Sequence, residues 1–493
     1  MRISLGWVDL VVLFIAMAAS VLIGLKIAGK NNTVESYLLG DRDLPWWAIL
    51  GSIVATETST ATVLSVPGIA YGATGFAFLQ LALGYILGRW IVVVFLLPNF
   101  FRGSIVSAYE ILKSRFGHNI TRLASLIFLV TRNLGDGLRL YLAAMVLQQL
   151  VGWPLVPSAL AVGGLTLLYT VFGGMRSVVW NDCIQLVIYL SGCIVAAILL
   201  VRLLPEGWTS YSQYMEATGK WNWIDWDLAL DKPYTLFAGL VGGTFLSLGS
   251  HGTDQIMVQR YLSARNQTHA AAAILVSGVF VFFQFALVLW IGTLLGAFYT
   301  ANPLPEGIAN DKVFAHFITH HFPTNVGIIG LMLAAILAAT MSTLSSSLSS
   351  SASSAYSDLW LSGLRHEPTE QSRLWFTRLA TLFFGVVQIL IGIWANQFSN
   401  SVVNNALTIA GFSSGVLLGW FFLGIFQPQV GQRAAIAGGI AGLAVLLWIQ
   451  FVLNQPDAIR IAFPWLSCIG SLVTFSTASY LSFLPWFRTN PTS

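Results

Sequence analysis

Apolar residues in this chain come in long unbroken runs, with polar and charged residues gathered in the short stretches between them. A bilayer core of roughly 30 Å takes about 20 apolar residues of helix to cross. The runs predict about thirteen transmembrane helices, over residues 7–27, 44–72, 75–101, 120–150, 155–175, 181–204, 234–258, 267–298, 325–357, 373–396, 401–427, 432–454 and 460–486. The run at 7–27 is longer than the apolar core of a signal peptide and lacks a small-residue cleavage site, so it reads as a helix that stays. The stretch Ser104 to Gly117 is amphipathic and too polar to span, which predicts a helix lying on the inner membrane surface.

Two of the spans are interrupted by polar and helix-breaking residues at mid-depth. The first, 44–72, carries Glu57, Thr58, Ser59, Thr60 and Thr62, followed by Pro67-Gly68. The second, 234–258, carries Gly242-Gly243 and then Ser247, Gly249, Ser250, His251, Gly252, Thr253 and Asp254. Irregular backbone at that depth is tolerated only where it lines a protected cavity. A matched pair of broken helices in two halves of a chain points to an inverted-repeat transporter with its site at the midplane.

A third span turns from apolar to hydroxyl-rich within one helix. Ser342, Ser345, Ser346, Ser349, Ser350 and Ser353 recur at helical spacing, so a helix stacks them on one face. That pattern suits close packing of small residues or the ligation of a hard monovalent cation by oxygen.

Composition agrees with a membrane protein: of 493 residues, 56 % are hydrophobic and 9 % charged, against about 25 % charged in soluble domains. No soluble domain of useful size remains. Cys183, Cys193 and Cys468 lie in apolar runs without metal-ligand spacing and read as small core residues. The net charge of +4 follows from loop placement and gives no support for nucleic-acid binding. Lys26, Lys30, Arg42, Arg102, Lys113, Arg115, Arg122, Arg176, Arg260, Arg265, Arg365, Arg373, Arg378, Arg433 and Arg488 fall on one side, and Arg2, Arg202, Lys220, Lys232, Lys312 and Arg460 on the other. The positive-inside rule then puts the N-terminus outside and the C-terminus in the cytoplasm, in the plasma (inner) membrane. The outer loops Pro205 to Pro233 and Phe298 to Thr324 read as caps or interfacial anchors.

Charges inside the spans are few: Glu57, Arg89, Arg132, Asp136, Arg139, Asp182 and Asp254. Each is costly in lipid and should face a cavity or a partner. Arg132, Asp136 and Arg139 share one helix face with one positive charge in excess. That face reads either as a self-paired strip or as a guanidinium left for a substrate carboxylate or for Glu57.

In order along the chain, ESYLLGDRDLPWW (Glu35 to Trp47), GGMRSVVWNDCIQ (Gly173 to Gln185), DQIMVQRYL (Asp254 to Leu262) and AATMSTLSSSLSS (Ala338 to Ser350) resemble the sodium:solute symporter family, which includes bacterial proline, galactose and sialic acid symporters. The resemblance covers nearly the whole chain. It implies an all-α polytopic membrane protein with a LeuT-type core: helices one to five (44–204) repeat in inverted orientation as helices six to ten (234–427). An extra N-terminal helix (7–27) and two C-terminal helices (432–486) complete a single transmembrane transporter domain.

The resemblance also implies site residues. A main sodium site matches the carbonyls of Ala55, Thr58 and Ala339 with the hydroxyls of Ser342 and Thr343. A second sodium matches Asp182, Ser342, Ser345 and Ser346, with Asn181 where the family usually has Thr. Substrate positions match Glu57, Ser59, Thr62, Gln80 and Ser247, with His251 in the same broken helix. Ser247 and Ser250 stand where the galactose symporter has a sugar-binding Asn and a gating Tyr. The carboxylate-binding Arg of the sialic acid symporter falls at Gly135, with Arg132 and Arg139 to either side.

The expectation is therefore a sodium-coupled secondary active symporter that imports a small polar organic solute, an organic acid or amino acid, by alternating access with two sodium ions. Sodium is the coupling ion, no organic cofactor is implied, and the partners are the solute and the lipid bilayer, without an obligatory protein partner. The alternatives are a sugar or vitamin symporter, or a transporter-like sensory receptor working with a separate signalling partner. An enzyme is not expected: His251, His320 and His321 are the only candidate catalytic histidines, and no nucleophile or metal cluster accompanies them.

Overall fold

A computed structural model of the chain describes residues 5–28, 32–103, 105–397, 402–454 and 460–487. Arg2, Lys30, Ser104 and Arg488, used above, lie outside the described residues. All regular structure among the described residues is helical: α1 (Trp7–Ala28), α2 (Trp46–Glu57), α3 (Thr60–Ile69), α4 (Leu79–Ile91), α5 (Glu110–Phe116), α6 (His118–Val151), α7 (Leu155–Leu203), α8 (Trp208–Ala217), α9 (Gly243–Gly252), α10 (Gln255–Leu262), α11 (Gln267–Ala301), α12 (Val313–His321), α13 (Ile328–Ser354), α14 (Glu370–Trp394), α15 (Val402–Phe426), α16 (Gln432–Trp448) and α17 (Pro464–Leu481). Seven described helices are by themselves long and apolar enough to cross a membrane, and the bent pair Trp46–Glu57 with Thr62–Thr74 makes an eighth. The other expected spans are shorter or interrupted by polar residues, so the predicted number is not reproduced one for one.

The serine-bearing α13 is the buried post of the bundle. Every residue from Met332 to Ser354 is buried, and α7, α1, α6 and α14 pack around it. The predicted spans 155–175 and 181–204 are the two halves of α7, which folds back at Gly174. There φ is +60°, a value that suits a residue without Cβ.

The first broken span behaves as expected: α2 ends at Glu57, α3 starts at Thr60, and the axis bends by 64°. The second breaks at the far end of the expected polar stretch. Gly242-Gly243 do not interrupt the helix; a π-turn over Ala238–Gly242 runs straight into α9. The interruption comes at Thr253-Asp254, where the Asp254 side chain caps α10 by accepting from Ile256 N at 2.9 Å. The glycines instead let two backbones touch. A Cβ on Gly84 would sit 2.1 Å from Gly239 O, one on Gly239 2.4 Å from Gln80 O, and one on Gly243 2.6 Å from Leu81 O. Small residues at such crossings allow the close approach that holds helices together where lipid supplies no hydrophobic drive. Gly84→Ala is therefore expected to lower the thermal unfolding midpoint in detergent by an amount equivalent to about 1–3 kcal/mol of overpacking. Gly164→Ala, where a Cβ meets nothing within 4 Å, is expected to leave it unchanged or raise it.

The amphipathic stretch is shorter than expected and packs against the bundle. Only Glu110–Phe116 is helical, with Tyr109, Leu112 and Phe116 buried against the bundle. The Glu110 carboxylate accepts from Val106 N and Ser107 N, both at 3.0 Å, and from Ser357 Oγ at 2.6 Å. Arg115 donates to the carbonyls of Gly424, Gln427 and Pro428. This segment is thus tied to the end of α13 and to α15 by its own polar residues.

The two long loops carry α8 and α12. Lys220, just after α8, donates to Ala70 O at 3.2 Å and Tyr71 O at 2.8 Å, pinning the far end of α3. Burial pushes its ammonium down to about 8.

Candidate functional site

A cavity of about 250 Å³ lies at the break between α2 and α3, enclosed by α6, α9, α10, α11 and α15. Local sequence builds its first wall. Thr58 and Ser59 take extended conformations. Ser59 and Thr62 then cap α3 reciprocally: Ser59 Oγ accepts from Thr62 N at 3.4 Å, and Thr62 Oγ1 accepts from Ser59 N at 3.3 Å. On the other side of the break, Val54 O accepts both Thr58 N and Thr58 Oγ1, while the last carbonyls of α2 have no helical continuation to bond.

Glu57 faces this cavity. Its carboxylate is held from behind by Arg89 Nη2 and by His251 Nε2 at 2.6 Å, and His251 Nδ1 meets Tyr261 OH at 2.6 Å. Arg89 in turn donates to Ser277 Oγ at 3.1 Å and Tyr85 O at 3.3 Å. The partner of Glu57 is therefore Arg89 with His251, not Arg139. Two opposite charges alone in neighbouring spans were the sequence signal for that pair.

The facing wall belongs to α6. Arg132 Nε donates to Asp136 Oδ2 at 2.8 Å, Arg139 Nη1 to Asp136 Oδ1 at 2.6 Å, and Arg132 Nη1 reaches Asp254 Oδ2 at 3.4 Å. Arg132 serves two carboxylates. Arg139 serves one, and its Nε is buried without a hydrogen-bond partner among the described residues. Counting both walls, three carboxylates (Glu57, Asp136, Asp254) balance three guanidinium groups (Arg89, Arg132, Arg139), so the site is formally neutral.

Of the expected substrate residues, Glu57, Ser59, Thr62, Arg132, Arg139 and Ser247 line this cavity. Gln80 and His251 do not. Both are fully buried behind the wall; the Gln80 amide is occupied by Tyr234 O at 2.9 Å and Asp225 N at 3.0 Å, and His251 by Glu57 and Tyr261. Tyr85, Phe78, Tyr234 and Phe285 supply aromatic lining that the polar signals of the sequence did not mark.

Deeper in the bundle, Ala55, Thr58, Ala339 and Ser342 line a small cleft together with Gln185 and Tyr189. Thr343 Oγ1 sits beside it, donating to Ala339 O at 3.1 Å and within 3.3 Å of Thr56 O. Gln284 Nε2 bonds Thr58 Oγ1 and closes one side. The five residues read as the main sodium site thus meet at the junction of α2 and α13.

Three of the four residues read as a second sodium site, Asp182, Ser342 and Ser346, meet as well, but around a cation that belongs to the protein. Asp182 Oδ1 accepts from Ser342 Oγ at 2.6 Å, and Oδ2 from Ser52 Oγ at 2.5 Å and Arg260 Nη2 at 3.0 Å. Arg260 also donates to Ser52 Oγ at 2.7 Å, Thr56 Oγ1 at 2.5 Å, Ile256 O at 2.7 Å and Ser346 Oγ. Ser345 points away, donating to Ser342 O at 3.1 Å on its own helix. Arg260, placed with the loop cations by charge counting, is 1 % exposed. Asp182, read as a ligand of the second sodium, thus has the buried guanidinium of Arg260 as a counter-charge in this structure.

A bundle in which two helices break beside one another around a charged, neutral-overall cavity is the architecture of a secondary membrane transporter, and its fold is the LeuT type. The family model described as Sodium:solute symporter family matches residues 37–442, and the chain belongs to that family. It is 30 % identical to the human sodium/iodide cotransporter over 456 residues, covering 91 % of this chain and 70 % of that protein. It is 28 % identical to mouse sodium-coupled monocarboxylate transporter 2 over 469 residues, covering 92 % and 74 %. Among solved structures, a sodium-coupled sialic acid symporter in a substrate-bound outward-open state superposes with a TM-score of 0.88 at 26 % identity, covering 98 % of this chain and 99 % of that one. These relatives are transporters, not enzymes, and sodium is their coupling ion.

Proposed function

We propose that this protein imports a small carboxylate-bearing solute together with one sodium ion. The observation that carries this reading is the guanidinium of Arg139, which faces the cavity with a buried Nε that no group among the described residues satisfies. An unmet buried donor on a charged group costs more than 1 kcal/mol, and a carboxylate is the acceptor that fits its fork. The rest of the site is balanced, so an anion alone would leave one negative charge in a low-dielectric chamber. One sodium ion restores neutrality. The relatives named above transport iodide, monocarboxylates and sialic acid, which agrees with an anionic solute.

Sodium is assigned to the cleft between α2 and α13, with Ala55, Thr58 and Ala339 offering carbonyls and Ser342 and Thr343 hydroxyls. The carbonyl end of α2 turns its negative dipole toward the ion. Glu57, Ser59, Thr62 and Ser247 complete the solute chamber. Residues 44–204 and 234–427 are the two inverted halves, and the basic loops put the C-terminus in the cytoplasm. Bound sodium shifts the conformational equilibrium through its different affinity for the two states. In proteoliposomes, Ser342→Ala with Thr343→Ala is expected to raise the sodium concentration for half-maximal uptake at least about tenfold, the equivalent of roughly 1.4 kcal/mol. An unchanged sodium curve counts against this ion site.

A further inference from the structure

The last turns of the serine post hold a carboxylate that the transport scheme does not use. Asp358 lies where α13 passes into a π-turn over Ala355–Trp360, a widening that often marks functional positions. It is 1 % exposed. Its Oδ2 accepts from Ser107 Oγ at 2.7 Å and Ser354 Oγ at 2.9 Å, and Ser354 Oγ pairs with Ser125 Oγ at 2.6 Å. Its Oδ1 has no hydrogen-bond partner among the described residues. The charged group it does feel is another carboxylate, Glu110, which is engaged by Val106 N, Ser107 N and Ser357. The other fully buried carboxylates have both oxygens met: Asp136 lies between two arginines, Asp182 pairs with Arg260, and Asp9, without an ion pair among the described residues, accepts from Gly6 N and Asn325 N on one oxygen and Gly327 N on the other.

A buried carboxylate without a counter-charge costs several kcal/mol, so something must balance it. A proton on Oδ2, shared with the Ser107 and Ser354 hydroxyls, is one answer, but it leaves Oδ1 unmet. A hard cation is a good one. We propose that Asp358, with the hydroxyls of Ser107, Ser125 and Ser354, forms a binding site for an alkali-metal cation at the basic face of the protein. One free carboxylate charge with neutral hydroxyls suits a monovalent ion; a divalent one draws several carboxylates.

The position gives the site a consequence. Ser107 belongs to the segment leading into α5, Ser125 to α6, and Ser354 and Asp358 to the end of α13, so one ion ties three elements together. It lies 16 positions beyond Ser342, about 24 Å along the helix at 1.5 Å per residue. The proposal rests on sodium-coupled transport only in expecting sodium to be the ion that arrives there.

Equilibrium binding of radioactive sodium to the purified full-length protein in detergent, with sodium-titrated thermal unfolding beside it, tests the site. Two binding components are expected in the wild type. Asp358→Asn should remove one and keep the other, whereas Ser342→Ala with Thr343→Ala should do the reverse. Potassium in place of sodium, against an organic cation at equal ionic strength, separates the two ions: protection by either that disappears in Asp358→Asn supports the site. Ser107→Ala keeps the carboxylate and is expected to weaken the same component at least fivefold, which covers the case in which Asp358→Asn does not fold. Unchanged binding in Ser107→Ala and in folded Asp358→Asn overturns the proposal, as does stabilisation that follows pH and no cation. Loss of all sodium response in the Ser342 and Thr343 variant, with Asp358→Asn unaffected, overturns it while leaving the transport reading standing.

Discussion

Arg139→Ala is expected to abolish concentrative uptake of a carboxylate solute, with a loss of affinity on the order of 100-fold or more, because a charge-assisted pair to a carboxylate is worth about 3 kcal/mol or more where water is excluded. The substitution spares the fold. Asp136 keeps Arg132 at 2.8 Å, so no buried carboxylate is abandoned, and the thermal midpoint should move little. Sodium binding at the α2 and α13 junction should persist, which separates a lost solute contact from a collapsed site. Arg139→Lys restores charge but not the planar fork and should recover only part of the affinity. Uptake of an anion with an unaltered half-saturation concentration in Arg139→Ala would place the carboxylate elsewhere in the chamber. Arg132→Ala is a poorer probe, since Arg132 bridges Asp136 and Asp254 and its loss unbalances two carboxylates together.

Arg260→Gln should be among the most destabilising single changes in the protein. It leaves Asp182 fully buried with only the Ser52 and Ser342 hydroxyls, and removing one partner of a buried pair costs about 3–5 kcal/mol. Asp182→Asn alone strands the guanidinium at a similar cost. The double variant Asp182→Asn with Arg260→Gln removes both charges and should regain much of the loss, a non-additivity visible in a double-mutant cycle of thermal unfolding in detergent. It also tests the ion count. With Arg260 as the counter-charge of Asp182, the number of sodium ions moved per solute is unchanged in the double variant. A drop in that number would make Asp182 a sodium ligand.

The serine helix shows how far pattern reading reaches. Spacing put its hydroxyls on one face, with packing or ion ligation as the two explanations. In the folded chain they do something less uniform: Ser347 accepts from Gln388, Ser349 from Gln259, Ser351 from Asn133, and Ser353 from Gln255. Ser354 pairs with Ser125. The partners come from three helices: α14 docks to the post through one amide, α10 through two, and α6 through one amide and one hydroxyl. Glutamines and an asparagine scattered through otherwise apolar spans are the only trace of this in the sequence, and nothing in their spacing says which serine each one meets. Gly242-Gly243 illustrate the opposite error. Paired glycines suit both a helix break and a close crossing, and the choice depends on whether another backbone, here that of α4 at Gly243 and that of Pro464 at Gly242, arrives at that point.

Local composition was sufficient for the membrane class, the approximate spans, the first helix break and the hydroxyl face, because each follows from the bilayer's thickness, from backbone conformation or from helical period acting within one segment. Family motifs carried the LeuT-type fold and gathered Ala55, Thr58, Ala339, Ser342 and Thr343 at one junction. Charge pairing was not decidable along the chain. Glu57 with Arg89, Asp182 with Arg260, the one unsatisfied nitrogen of Arg139 and the unbalanced carboxylate of Asp358 are joined or left apart by distances across the bundle. In a low-dielectric interior a few ångströms separate a balanced charge from a costly one. Those distances exist only once the helices have packed.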